Sequence, residues 1–352
     1  MNSHSARSPF SRLTETLLVG TAGGMALGLA GLPAGWLAGA MLAVAVAGLF
    51  GRPVHIPHRL GQVTFIVTGI SLGGAVTPAM LAGVATWPLS ILALTLAMIV
   101  LTASVALYLH HVHGWDGGSA FLGACPGALS TVIMVAIERN ADVRGIAVVQ
   151  TVRVVLLVAA LPAILSVFGI TGAPPPVQPI ELSAQTAFEL AVLFAVGFGA
   201  AIGMHWLRFP GALIFASMVS SAVLHGTGLI TTSVPNWVAI AAFVTLGSLT
   251  GTRFAGMDLP LLRRLALASL GSFAVGVVVA MLCAVLAAQV LSLNTGDAVL
   301  AYAPGAIEAM MILALALHFD PAFVAAHHLW RFMMVLVALP LLSRYINPAP
   351  PG

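Results

Sequence analysis

The sequence predicts an all-α polytopic membrane protein. It is read as two tandem repeats of five to six hydrophobic segments each, of inverted topology, with helices broken at Pro-Gly. Three observations carry this. First, 60% of the 352 residues are hydrophobic and 7% are charged, with a mean hydropathy of +1.08. Soluble domains carry about 25% charged residues. That gap excludes a water-soluble globule, a disordered chain and a protein that grips nucleic acid through a basic solvent-exposed face. The net charge of +3 comes from arginine alone, with no lysine and no basic run. The second observation is a series of apolar segments near spanning length, and the third is an internal repeat.

A spanning helix needs about 20 apolar residues. After a tail at 1–12, the first half (13–170) offers segments at 13–32, 33–50, 60–81, 87–109, 119–137 and 145–170. The stretch 171–181, TGAPPPVQPIE, favours an extended linker because three consecutive prolines oppose helix. The second half (182–345) offers 182–204, 211–224, 237–254, 261–291, 297–317 and 322–345, and a tail follows at 346–352. The first segment follows Arg7 and Arg12 as a signal peptide would, yet eleven more apolar stretches make it a retained helix. Gly20, Gly24 and Gly28 suit close helix packing in a bilayer.

A shift of 177 lays Pro33 on Pro210 and Met41 on Met218, and aligns Val67, Thr68, Ser71, Leu72 and Gly74 with Val244, Thr245, Ser248, Leu249 and Gly251. One inserted residue makes the shift 178. Pro126-Gly127-Ala128 then falls on Pro304-Gly305-Ala306, Asp142 on Asp320, Arg153 on Arg331 and Leu161-Pro162 on Leu339-Pro340. Cytoplasmic loops are enriched in arginine. Six crossings per half would split the loop arginines five against six. An odd number of crossings, with the Pro-Gly segment re-entrant, puts all eleven on one side. That is the pattern of inverted repeats in secondary transporters. A crossing Pro-Gly helix with a different non-crossing segment serves equally.

The Pro-Gly pairs are the strongest chemical signal. Proline removes a donor, and glycine permits a sharp redirection. A helix broken there exposes backbone that lipid cannot satisfy, so the break lines a cavity or packs on protein. Pro126, Gly127, Pro304 and Gly305 mark the breaks, and Ser130 and Glu308 stand in the first turns that follow. Those half-helix N-termini suit an anion. Beside an aqueous cavity, Cys125 should react with hydrophilic thiol reagents faster than Cys283. Arg153 and Arg331 sit near mid-depth, where arginine costs about 2.5–3.5 kcal/mol. That cost calls for a partner. Gln150 and His327 lie one turn before them, His328 is nearby, and Glu308 is a candidate counter-ion for Arg331. Thr68, Ser71, Thr245 and Ser248 fit hydroxyl-to-carbonyl bonding within a helix or a polar path. His110, His111 and His113 lack metal-motif spacing and read as an interfacial cluster, so neither metal nor cofactor is expected.

The duplicated Pro-Gly-Ala segments, each followed about 26 residues later by Arg and then Leu-Pro, resemble the bacterial AbrB-type membrane proteins over residues 13–345. These are distinct from the small DNA-binding regulators of the same name. Members are labelled as regulators of gene expression or as ammonia monooxygenases, and the resemblance supplies no catalytic residues. It implies an architecture similar to the cation/proton antiporters and anion transporters, which leaves the substrate open. The leading expectation is a non-enzymatic, multi-pass inner-membrane transporter whose partners are the lipid bilayer and a small, anionic solute, with Arg153, Arg331 and the half-helix ends binding it and Glu308 or His327 handling protons. The alternative is a membrane sensor acting on gene expression without direct contact to nucleic acid. A membrane monooxygenase comes third, for want of a ligand set.

Overall fold

A computed structural model describes residues 8–76, 87–127, 129–170, 183–209 and 211–343. The Pro-rich linker, both extreme tails, Ala128 and the side chain of Ser130 lie outside the described residues. Every regular element among the described residues is helical. Among the described residues, six helices are long and apolar enough to cross a membrane: Trp87–His113, Val143–Leu165, Ala184–Trp206, Asn236–Phe254, Ala266–Leu291 and Pro321–Leu339. The chain is an integral membrane protein.

The long helices are apolar on every side. On Trp87–His113, Leu94, Met98, Leu101 and Val105 are at most 2% exposed, whereas Leu89, Leu92, Leu96 and Ile99 are at least 60% exposed. In water that outer stripe would forfeit roughly 25 cal/mol per Å2. In lipid it costs nothing, and composition alone therefore does not say which face packs inward.

The chain divides into two compact units, each drawing on both halves of the sequence: Met1–Ala75 with Val177–Leu259, and Val76–Pro176 with Pro260–Gly352. The first unit holds α1 (Pro9–Leu29), α2 (Gly35–Leu49), α3 (His58–Gly73), α8 (Ala184–Trp206), α9 (Ala212–Gly226) and α10 (Asn236–Gly251). Helices α1 and α2 cross at Gly23 and Gly39, where a Cβ on either would strike the other's backbone. Helix α3 packs on α9 and α10 on α2 in the same way. A Cβ on Gly69 or Gly73 would strike the carbonyl of Ile214 or Met218, and one on Gly247 or Gly251 that of Leu37 or Met41. Gly69 and Gly247, 178 residues apart, thus make the same kind of close contact with a backbone carbonyl.

The second unit holds α4 (Trp87–His113), α5 (Gly117–Ala124), α6 (Leu129–Glu138) and α7 (Val143–Val167), then α12 (Ala266–Leu291), α13 (Thr295–Tyr302), α14 (Ile307–Ala316) and α15 (Pro321–Ser343), with α11 (Leu259–Arg264) leading into α12. The pairs α5–α6 and α13–α14 replace what the sequence offers as single segments. At eight to ten residues each, none of these four is long enough to span. Pro162 sits inside α7 without ending it.

Candidate functional site

The site is built in the second unit at the two breaks. Helix α5 starts on Asp116, whose carboxylate accepts from Ser119 N at 2.8 Å, and ends at Cys125, which turns extended ahead of Pro126. Gly127 adopts φ +87°, a region closed to most L-residues, and so redirects the chain into α6. Helix α13 starts on Asn294 and ends at Ala303 ahead of Pro304. At Gly305 a Cβ would come within 2.6 Å of the Leu157 side chain, which would have to shift.

Ending a helix leaves its last carbonyls without donors, and in a membrane no water supplies them. The two buried arginines do. Arg153 donates from Nη1 to Ala124 O (3.2 Å) and from Nη2 to Cys125 O (3.1 Å), and Gln150, one turn earlier on α7, donates to Leu122 O (2.8 Å). On α15, Arg331 donates from Nη1 to Ala303 O (2.6 Å) and from Nη2 to Gly305 O, while His328 bonds Leu300 O through Nε2 (3.0 Å). Each cation therefore caps the negative end of a half-helix. Two of these bonds recur at the 178 separation, Gln150 to Leu122 O as His328 to Leu300 O and Arg153 to Cys125 O as Arg331 to Ala303 O, whereas the bonds to Ala124 O and Gly305 O do not correspond.

This corrects the expected Glu308–Arg331 pair. Both arginines are 2% exposed, and neither forms an ion pair among the described residues, whereas the exposed Arg52 pairs with Glu15 at 3.1 Å. Glu308 stands half-buried in the first turn of α14, whose N-terminus has no side-chain cap. The Nε of Arg153 is buried without a partner. Gly127 brings the first break to the second arginine, its Cβ position lying 3.9 Å from Arg331 Nε. The carbonyl partners escape sequence reading because an acceptor on the backbone has no residue identity. The usable signal is the donor pair one turn apart, Gln150/Arg153 and His328/Arg331.

Among the described residues, side chains pack closely at both breaks. Cys125 is 5% exposed within a cluster of Leu122, Val132, Val135, Ile146 and Val335. The crevice beside Pro304 is lined by Leu157, Leu161, Val277 and Val299 and is too tight for a water molecule.

The second hairpin, α13–α14 with the α15 helix that follows it (the first being α5–α6 with α7), carries further polar groups. His327 is fully buried, with Nδ1 2.7 Å from Phe323 O and Nε2 2.7 Å from Ser90 Oγ. Tyr302 donates to Ser90 O at 2.8 Å. At the helix ends, Asp320 N donates to Asp297 Oδ1 at 2.7 Å, as Asp142 N does to Ser119 Oγ at 2.9 Å in the first hairpin. Both aspartates lie outside the six long apolar helices. Desolvation, opposed by the bond from Asp320 N and reinforced by the Asp320 charge, pushes Asp297 up from 3.8 to about 6. Desolvation also raises Asp320.

The remaining candidates stand apart. In the first unit, Ser71 and Thr245 bond their own helix carbonyls, while Thr68 Oγ1 and Ser248 Oγ are buried without a partner. His110, His111 and His113 bond Trp115 O, Leu107 O and Tyr108 OH respectively.

Residues 36–347 match the family described as transition state regulatory protein AbrB. The chain is 27% identical to YhjN, an uncharacterized protein of Bacillus subtilis (strain 168), over 94% of this chain and 92% of that protein. It is 24% identical to a protein of Escherichia coli (strain K12) whose name gives it as a candidate regulator, AbrB, over 91% of this chain and 92% of that one.

Proposed function

The chain belongs to the AbrB family, and from that premise we propose that this member is a secondary transporter of the inner membrane for a small anionic solute. One observation carries the reading. Arg153 and Arg331 are two buried cations with no carboxylate within ion-pair distance among the described residues, both bonded to the carbonyls at Pro-Gly breaks. Helix C-terminal dipoles offset part of that charge, about half a unit each. The remainder favours an anion over a cation at the breaks. Each guanidinium has five donors, and the Nε of Arg153 is uncommitted.

In this reading the halves are inverted repeats, supported by the two carbonyl-capping bonds that recur 178 residues apart and by the arginine-rich loops that share one side in that topology. The chain acts without a cofactor and is not an enzyme. The test is flux. Purified protein in sealed liposomes is offered labelled inorganic anions and small carboxylates, and saturable uptake of at least one is expected. Tight liposomes that pass none of them would overturn the reading. The second reading, a membrane sensor acting on gene expression, rests on the printed name of the Escherichia coli relative. It predicts altered transcript levels in a deletion strain with no flux.

A further inference from the structure

The two hairpins share their framework but not their titratable groups. Where the second has Asp297, Tyr302, Glu308 and His327, the positions 178 earlier are Ser119, Ala124, Ser130 and Val149. The carbonyl-capping arginine and the helix-starting aspartate are common to both. The second hairpin therefore carries titratable side chains at four positions where the first has none.

His327 is placed differently from the others. Phe323 O can only accept, so Nδ1 carries a hydrogen. Nε2 faces Ser90 Oγ, and that same oxygen lies 2.9 Å from Trp87 O. The hydroxyl has one hydrogen and two acceptors within reach. With His327 neutral, Ser90 donates to Nε2. With His327 protonated, Nε2 donates to Ser90 Oγ and the hydroxyl hydrogen turns to Trp87 O. No buried polar group loses its partner in either state.

His328 lacks this freedom. Its Nδ1 accepts from Arg331 Nη2 at 2.7 Å, and its Nε2 donates to Leu300 O. A proton on Nδ1 would break the first bond and set two cations together.

We propose that His327 is a proton-binding site, taking the proton on Nε2, with the Ser90 hydroxyl as its reversible partner. Used within the transporter reading above, it is the coupling site for proton-linked movement of the anion. The groups it answers to come from each packed element. They are His328 and Arg331 on α15 itself, with Asp320 at its start; Tyr302 on α13, its ring 6.4 Å away, with Asp297 at that helix's start; Glu308 on α14; Glu138 on α6; and on α4 the uncharged Ser90 and Trp87. Arg331 opposes the charge, so the site is poised to discharge when an anion leaves the arginine.

The test needs no solute. Full-length protein labelled with 15N-histidine in lipid nanodiscs is titrated from about pH 8 to about pH 4, with the His327 signals identified by their loss in His327→Gln. A neutral ring bearing its hydrogen on Nδ1 is expected to become doubly protonated, while His328 stays singly protonated on Nε2. Ser90→Ala should lower the proton affinity of His327 by about tenfold or more, because hydrogen bonds to a charged group are stronger than neutral ones. A His327 ring that stays singly protonated throughout, or one that titrates unchanged in Ser90→Ala, overturns the proposal. Should His327→Gln misfold, the Ser90→Ala comparison still decides. Flux and titration are separate readouts, so a failed anion screen with a titrating His327 would condemn the transporter reading alone.

Discussion

Arg331 Nη2 donates to His328 Nδ1 at 2.7 Å, one turn apart on α15, and this bond holds His328 as a neutral ring with its hydrogen on Nε2. The first hairpin fills the same role with Gln150, whose amide donates to Leu122 O. His328→Gln should therefore keep the Leu300 carbonyl satisfied and leave thermal stability in detergent nearly unchanged. His328→Ala leaves that buried carbonyl and one guanidinium hydrogen unpaired and should cost about 1–3 kcal/mol. Equal losses in both variants would refute the carbonyl-capping role.

Arg331→Ala should destabilise the protein by about 2–4 kcal/mol, since Ala303 O and Gly305 O lose a charged donor in a place without water. Adding Glu308→Gln should bring no recovery, because Glu308 is not the partner. Thermal unfolding of the two single variants and the double variant checks this. Recovery in the double would restore the ion pair.

Cys125 is buried among apolar side chains and Cys283 is only partly so. In detergent, a small hydrophilic maleimide should modify Cys283 at least about tenfold faster than Cys125, the reverse of the order expected for an open break. Single-cysteine variants followed by mass spectrometry give both rates. Faster labelling of Cys125 would mean that the resting protein holds an open cavity.

Asp297 supplies a pH test. Its folded-state carboxyl sits at about 6 against 3.8 unfolded. The folded form thus binds the proton more tightly, and stability falls as pH rises through that window. Below about pH 4 both states are protonated and the effect vanishes. Asp297→Asn keeps an acceptor for Asp320 N, as Ser119 does for Asp142 N. It should raise stability at pH 7 by at most about 3 kcal/mol, with no gain at pH 4. A gain independent of pH would argue against ionisation as the cause.

Glycine contacts give a paired comparison. Gly247→Ala would drive a Cβ into Leu37 O and Gly69→Ala into Ile214 O, so both should lose stability by about 2 kcal/mol or more. Gly199→Ala, where nothing lies within 4 Å, should gain about 0.5–1 kcal/mol. Loss of stability in all three would mean that helix propensity does not govern α8.

Much of this was legible in the residues. Apolar composition and segment length are local properties, and they suffice for a membrane protein of many helices. The Pro-Gly breaks are equally local, because a missing N–H and a left-handed φ belong to single residues, as at Pro126 and Gly127. Arg153 and Arg331 stood out because a cation deep in lipid is costly. Their partners did not, since a carbonyl such as Ala303 O looks like every other carbonyl in the sequence.

Tertiary structure alone decided how the halves are used. By sequence each half is a continuous run, yet each compact unit takes helices from both. Helices that are apolar all round, such as Trp87–His113, carry no amphipathic stripe to name their neighbours. Only shape, at glycines and small side chains, does so. The same holds for His327 and His328, adjacent in the chain and alike in chemistry. One faces a hydroxyl that can reverse its bond and the other a guanidinium that cannot. That difference lies in which helix packs against each ring, and no spacing along the chain records it.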